Sequence, residues 1–209
     1  MVGTKRGLED FVPKIVDHGE RRRAIAEATA LLIASIGIEQ VSVRRIERDT
    51  GFSKGVIQHY FSDKAELLTS ALDWANQRYM QREHRAVADA GATGLAALEI
   101  RLENLLPFTQ EIRQEWKIRL QILGLATVDS ELAARDARRF YLARNRFAKD
   151  LRIAKAEGEL RAGLGAEDAA QRTMMVITGT NAMAMVNPTH FTRPRLRQIM
   201  EGLLAELRG

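Results

Sequence analysis

Apolar residues in this chain recur at spacings of three and four along almost its whole length. No segment alternates apolar and polar residues long enough to make a convincing strand. That single pattern restricts the chain to an all-α fold. From Arg21 the stripe runs through Ile25, Ala28, Leu32 and Ile36 and stops at Gly37, a good C-terminal glycine. Short helices are expected from Ser42 to about Thr50 and from Ser53 to about Phe61, with Gly51 between them. A long helix begins at Asp63, where Asp63 and Glu66 have capping-box spacing, and reaches about Ala88. Further helices are expected at about 94–106, 109–126, 130–158, 166–186 and 193–208. Thr109 and Ser130 are the N-caps expected for two of them, and Thr192 precedes Pro194 in the first turn of the last. The expected organisation is a small helical unit over 1–62, including an N-terminal extension, and a larger helical bundle over 63–209. The helix from Asp63 joins them without a flexible linker.

The segment "TGFSKGVIQHYFSDKAELL", Thr50 to Leu68, is the least ordinary part. Two short helices joined by a tight glycine turn are the elements of a helix-turn-helix. Val43 and Ile46 point inward, while Arg44, Arg45 and Arg48 point outward. Phe52 lies under the turn, and Ser53 caps the second helix, leaving its first N–H groups for a phosphate. Ile57 and Phe61 share a buried face. Gln58, His59 and Tyr60 are left for solvent or a partner. Gln58 has the donor and acceptor pair that reads adenine. His59 and Tyr60 suit phosphate oxygens, as do the cations Lys54 and Lys64, and Gly55 permits close approach of the backbone. Any two short amphipathic helices can share these features, so a purely structural pair stays open beside DNA binding. The net charge of +5 does not decide between them, because residues 1–72 carry 11 basic and 10 acidic residues.

The stretches "RRAIAEATALLIASIG" and "VSVRRIERDTGFSKGVIQHYFSDKAELL" resemble the N-terminal domain of the TetR family of transcriptional regulators. The glycine, the Tyr60-Phe61 pair and Lys64 stand at that family's spacing. The resemblance implies a three-helix DNA-binding head on a helical body that dimerises and binds a ligand. It places the start of the helix-turn-helix at Ser42, the recognition helix at Ser53 to Tyr60, and a phosphate contact at Lys64. Glu47, Thr50 and Phe52 depart from the family's usual alanine, alanine and valine. Glu47 is unfavourable beside DNA unless it pairs, with Arg44 or Arg48 as candidates. The second half is similar, more diffusely, to BetI-type members through Glu115-Trp116, the run from Asp129 to Arg161 and "GTNAMAM".

Trp74, Met80, Phe108, Trp116, Leu120, Leu123, Phe147, Met174, Ile177 and Met183 are candidates to line a ligand cavity, with Thr178 and Asn181 as polar handles. Each is also an ordinary core residue. Aromatics are too few and scattered for the cage that a quaternary ammonium needs. Two stripes suit a homodimer interface: Met175, Gly179, Ala182, Met183 and Val186, and Leu196, Ile199, Leu203 and Leu207. One of them could instead cover the chain's own core.

The expected partners are a pseudo-palindromic double-stranded DNA operator, a second copy of the chain and an apolar small-molecule effector acting through the Trp74 and Met80 face. The alternative is a ligand-independent architectural or constitutive DNA-binding protein. No enzyme, cofactor or metal is expected: His18, His59, His84 and His190 lack ligand spacing, cysteine is absent, and Glu111 and Glu115 are one turn apart on an exposed face. Without cysteine, a signal-like N-terminus or an apolar run near ~18 residues, a cytoplasmic location away from membranes is expected.

Overall fold

The computed structural model describes residues 18–209; the expected N-terminal extension before His18 lies outside the described residues. Among the described residues nine α-helices follow in order: α1 His18–Ile36, α2 Val43–Thr50, α3 Lys54–Tyr60, α4 Lys64–Asp89, α5 Gly94–Glu103, α6 Gln110–Ala126, α7 Ser130–Ala156, α8 Ala166–Val186 and α9 Arg193–Leu207. One further element, a 3-10 turn at Ile38–Gln40, was not expected from the periodicity, which cannot register three residues. Among the described residues no helix is long and apolar enough to cross a membrane.

Side chains start most of these helices where the sequence places a capping residue. The Ser42, Ser53 and Thr109 hydroxyls accept the N–H of the residue three positions on, and so does the Asp63 carboxylate. Ser130 is a correction. It is the first residue of α7, and Asp129 is the cap, its carboxylate accepting from Glu131 and Leu132 N–H at 3.0 Å. A carboxylate at that position also faces the positive end of the helix dipole.

Two apolar cores result. The first joins α1, α2 and α3 to the N-terminal half of α4 and continues into Ile118 and Ile122 of α6. The second lies among α5, α7, α8 and α9, with Phe147 fully buried in it. The first core therefore runs past residue 62, since Leu67, Leu68, Ala71, Leu72 and Ala75 belong to it. Between the cores lie charged side chains held by ion pairs and hydrogen bonds. Arg82 of α4 donates to both oxygens of Glu115 at 2.9 and 2.8 Å and to the Asn104 carbonyl at 3.1 Å. Glu83, 2% exposed, faces Arg101 of α5 at 3.2 Å and Arg146 of α7 at 2.8 Å. Removing one partner of such a buried pair strands the other charge, so these contacts fix how α4, α5 and α7 sit.

Candidate functional site

The helix-turn-helix is built locally. Gly51 takes φ +75°, the left-handed region, and its N–H closes α2 on the Glu47 carbonyl at 3.1 Å. Ile46 and Ile57 are buried, and Phe52 is half-buried beneath the turn. Ser42, Arg44, Ser53, Lys54, Gly55, Gln58, His59 and Lys64 are all exposed on this unit.

The three ring-bearing residues separate by depth. Phe61 is 3% exposed, with the Arg22 guanidinium 4.8 Å from its ring centroid. Tyr60 is half-buried against the same core, so it is less free than the sequence suggests. His59 is exposed, and its ring and that of His18 lie 5.1 and 5.6 Å from the Tyr60 ring.

Two acidic residues alter the expected surface. Glu47 pairs with neither Arg44 nor Arg48; its carboxylate accepts the Lys54 N–H at 3.0 Å. Together with Ser53 it occupies N–H groups at the start of α3 that were expected to be free for a phosphate. Asp49 binds Arg45, and its other oxygen accepts from Arg48 at 2.7 Å. Those two hydrogen bonds hold the Asp49 carboxyl below its ordinary value. Arg45 is thus tied along α2, while Arg44 is left clear.

Glu66 completes the capping box one residue early. It accepts from the Ser62 N–H at 2.8 Å and hydroxyl at 2.9 Å and from Arg22 at 2.7 Å, and these keep its carboxyl below the usual value. Arg22 thereby ties α1 to the start of α4.

A cavity of about 680 Å³ lies between α1, α4, α6, α7 and α8. Trp74, Met80, Trp116, Met174 and Thr178 line it, with Leu105, Tyr79 and Leu142. Trp116 is fixed by its indole N–H, which donates to the Leu105 carbonyl at 2.8 Å. Phe108, Leu120, Phe147, Asn181 and Met183 do not line it. Phe147 and Ile177 are core, and Phe108 packs on that core under Arg193. Asn181 is fully buried, with neither amide atom hydrogen-bonded among the described residues. Met183 is 49% exposed on the other side of α8, Leu123 also lies outward, and Leu120 is half-buried elsewhere on α6.

The sequence reading missed the cavity's arginines: Arg22, Arg23, Arg119, Arg139 and Arg146. It also missed Gln121. That side chain accepts the Ile38 N–H at 2.6 Å and donates to the Ile33 carbonyl at 3.1 Å. A glutamine amide can satisfy one donor and one acceptor at once. Helix α6 thus lines the cavity through Trp116 and Arg119 and meets the head through Ile118, Gln121 and Ile122.

The two proposed dimer stripes differ. Leu196, Leu203 and Leu207 of α9 are buried in the chain's own core, with Ile199 half-buried, because α9 covers the open side of that core. On α8, Met175 is 63% exposed and Val186 78% exposed, with Val176, Gly179 and Met183 also outward and Ala182 half-buried between them.

Residues 25–71 match the family of bacterial regulatory proteins called the tetR family, and residues 94–209 match the BetI-type transcriptional repressor C-terminal domain. The chain belongs to the TetR family. It is 28% identical over 198 residues to the HTH-type transcriptional regulator PksA of Bacillus subtilis (strain 168), with 90% of each chain covered. To the HTH-type regulator BetI of Yersinia pestis (strain Pestoides F) it is 34% identical over 89 residues, which is 43% of this chain and 41% of that protein. Among solved structures, a transcriptional regulator from Rhodococcus sp. Rha1 has the same fold, with a TM-score of 0.76 at 21% identity over 89% of this chain and 95% of that one. A regulator from Saccharomonospora viridis in complex with choline has a TM-score of 0.70 at 23% identity, covering 88% and 94%. As a TetR-family chain this is a DNA-binding transcriptional regulator of the helix-turn-helix type.

Proposed function

We propose that this TetR-family regulator is a homodimeric repressor that a small, mostly apolar molecule releases from its operator. The observation that carries the reading is the cavity itself. At about 680 Å³ it is in the size range of ligand sites, and two of its walls, α4 and α6, also carry the core of the DNA-binding head. An architectural protein acting without a ligand has no use for such a space. The exposed apolar face of α8 supports pairing with a second copy about a two-fold axis, a self-complementary arrangement that calls for a pseudo-palindromic operator. The recognition helices then enter successive major grooves about 34–36 Å apart. A ligand against Trp74, Met80 and Trp116 that prefers a different setting of α4 and α6 changes that spacing. Equal affinity for both settings changes nothing.

In this reading Gln58 reads a base edge. Lys54, His59 and Lys64 hold phosphates, with Arg44 beside them, while Arg45 and Tyr60 position their neighbours. The test is operator selection followed by two variants. Gln58→Ala should cost about 1–3 kcal/mol on the selected site and relax preference at one base pair. Lys64→Ala should weaken all DNA alike and lower the salt slope by about one. Parent-like binding by both would sink these roles. A monomer by light scattering at micromolar concentration would sink the dimer.

A further inference from the structure

The cavity's walls are apolar but its charges are unbalanced. Five arginines line it against two carboxylates, Asp73 and Glu115. Both carboxylates are already taken. Asp73 accepts two hydrogen bonds from Arg139, at 2.7 and 3.2 Å, and Glu115 is held by both ends of the Arg82 guanidinium. Arg146 faces Glu83, Arg22 donates to Glu66, and Arg23 is exposed to solvent.

Arg119 stands apart from these. Its side chain is 19% exposed, and its nearest acid, Asp136, is 3.7 Å away, beyond hydrogen-bonding distance. Burial pulls this guanidinium below its ordinary value, the neighbouring charge of Arg139 adds to that, and Asp136 offsets only part of it. A guanidinium stays charged and offers five donors in a planar fork. Here that fork borders an apolar space without a hydrogen-bonded anion.

The same surroundings disfavour a cation. No carboxylate is spare, and the tryptophan faces that would form an aromatic cage already carry guanidinium groups. Arg78 lies 4.9 Å from the Trp74 ring centroid, and Arg119 lies 5.7 Å from that of Trp116.

We infer that the cavity takes an anionic amphipath, with a carboxylate or a group of like shape and charge on Arg119 and an apolar body along Trp74, Trp116, Met80 and Leu142. This rests on the reading of the cavity as the effector site. It sets this chain apart from the Saccharomonospora viridis regulator, whose complex is with choline.

The chain's two tryptophans both line the cavity, so intrinsic fluorescence reports its occupancy. The full chain is titrated with decanoate, decanol and choline. Decanoate should bind roughly 10-fold or more tighter than decanol, the gain a charge-assisted hydrogen bond provides, and choline should be weakest. Arg119→Met should bring decanoate to within about two-fold of decanol. Arg119→Lys, which keeps the charge, should retain part of the preference. Decanol or choline binding as well as decanoate in the parent overturns the inference without any variant, and leaves the cavity as an effector site. Full preference for decanoate in a folded Arg119→Met variant overturns it too. No saturable response to any of the three sinks the effector-cavity reading, and the anionic ligand with it.

Discussion

The DNA-binding head and the cavity in the body are built on opposite plans. In the head, the capping contacts are short in sequence: Ser42 to Arg45, Ser53 to Val56, Asp63 to Glu66 and Ser62 to Glu66 span three or four residues, and Glu47 to Lys54 spans seven. The functional face lies within one short segment, and its backbone is set by its own side chains. The cavity draws walls from Gly19 at one end of the chain to Thr178 near the other. Its ionic contacts reach across dozens of residues, as from Arg82 to Glu115 and from Arg139 to Asp73. A contiguous segment can hold its geometry while the body around it changes. A cavity assembled from five helices changes whenever any of them moves, which suits a site meant to be moved.

Phe61 is where this contrast is easiest to break. Its ring is buried under the recognition helix. Phe61→Ala should cost about 3–5 kcal/mol in urea denaturation followed by circular dichroism. A cost below about 1 kcal/mol would mean that the head does not depend on this ring.

Gln121 tests whether the two regions communicate. Gln121→Leu leaves the Ile38 N–H and the Ile33 carbonyl without their side-chain partner, at a cost of about 1–3 kcal/mol. Operator affinity should fall while the tryptophan response to a cavity ligand stays as in the parent. Unchanged operator binding would show the head indifferent to α6.

The smallest effect is expected at the cap of α3. Ser53→Ala should cost about 1 kcal/mol by thermal melting, with operator binding weakened more than stability alone explains. A neutral change would mean that Glu47, which also holds the start of α3, is sufficient by itself.

What the sequence disclosed follows the same division. Helix limits were legible because breaks and caps are local, and the family was legible from one run of 28 residues, Val41 to Leu68. The error at Ser130 was a single position, because Asp129 and Ser130 are both good caps. Periodicity identified an apolar stripe on α8 and another on α9. It could not say which one is covered, since that depends on where α5 and α7 lie. Trp74, Met80, Trp116, Met174 and Thr178 could be named as cavity candidates from residue type. The arginines among them could not, because a charge on an amphipathic helix reads as a solvated face. Phe147 and Asn181 were indistinguishable from wall residues until the packing of α7 and α8 placed them inside.

The two hydrogen bonds of Gln121 bear on how regulators of this kind can be recombined. Helix α1 ends at Ile36, and the 3-10 turn begins at Ile38; at this joint the Ile38 N–H is satisfied by a residue more than 80 positions away, which also donates to the Ile33 carbonyl alongside the Gly37 N–H. The head therefore carries a requirement that its own sequence does not meet. If residues 18–62 were grafted onto a foreign body, the chimera would arrive with that joint unfilled and with Ile118 and Ile122 missing from its core. A donor body would need a side chain with both a donor and an acceptor at the matching turn of its α6, flanked by apolar residues. Exchange of DNA specificity between such proteins should succeed more readily by replacing Gln58 in place than by transplanting the whole head.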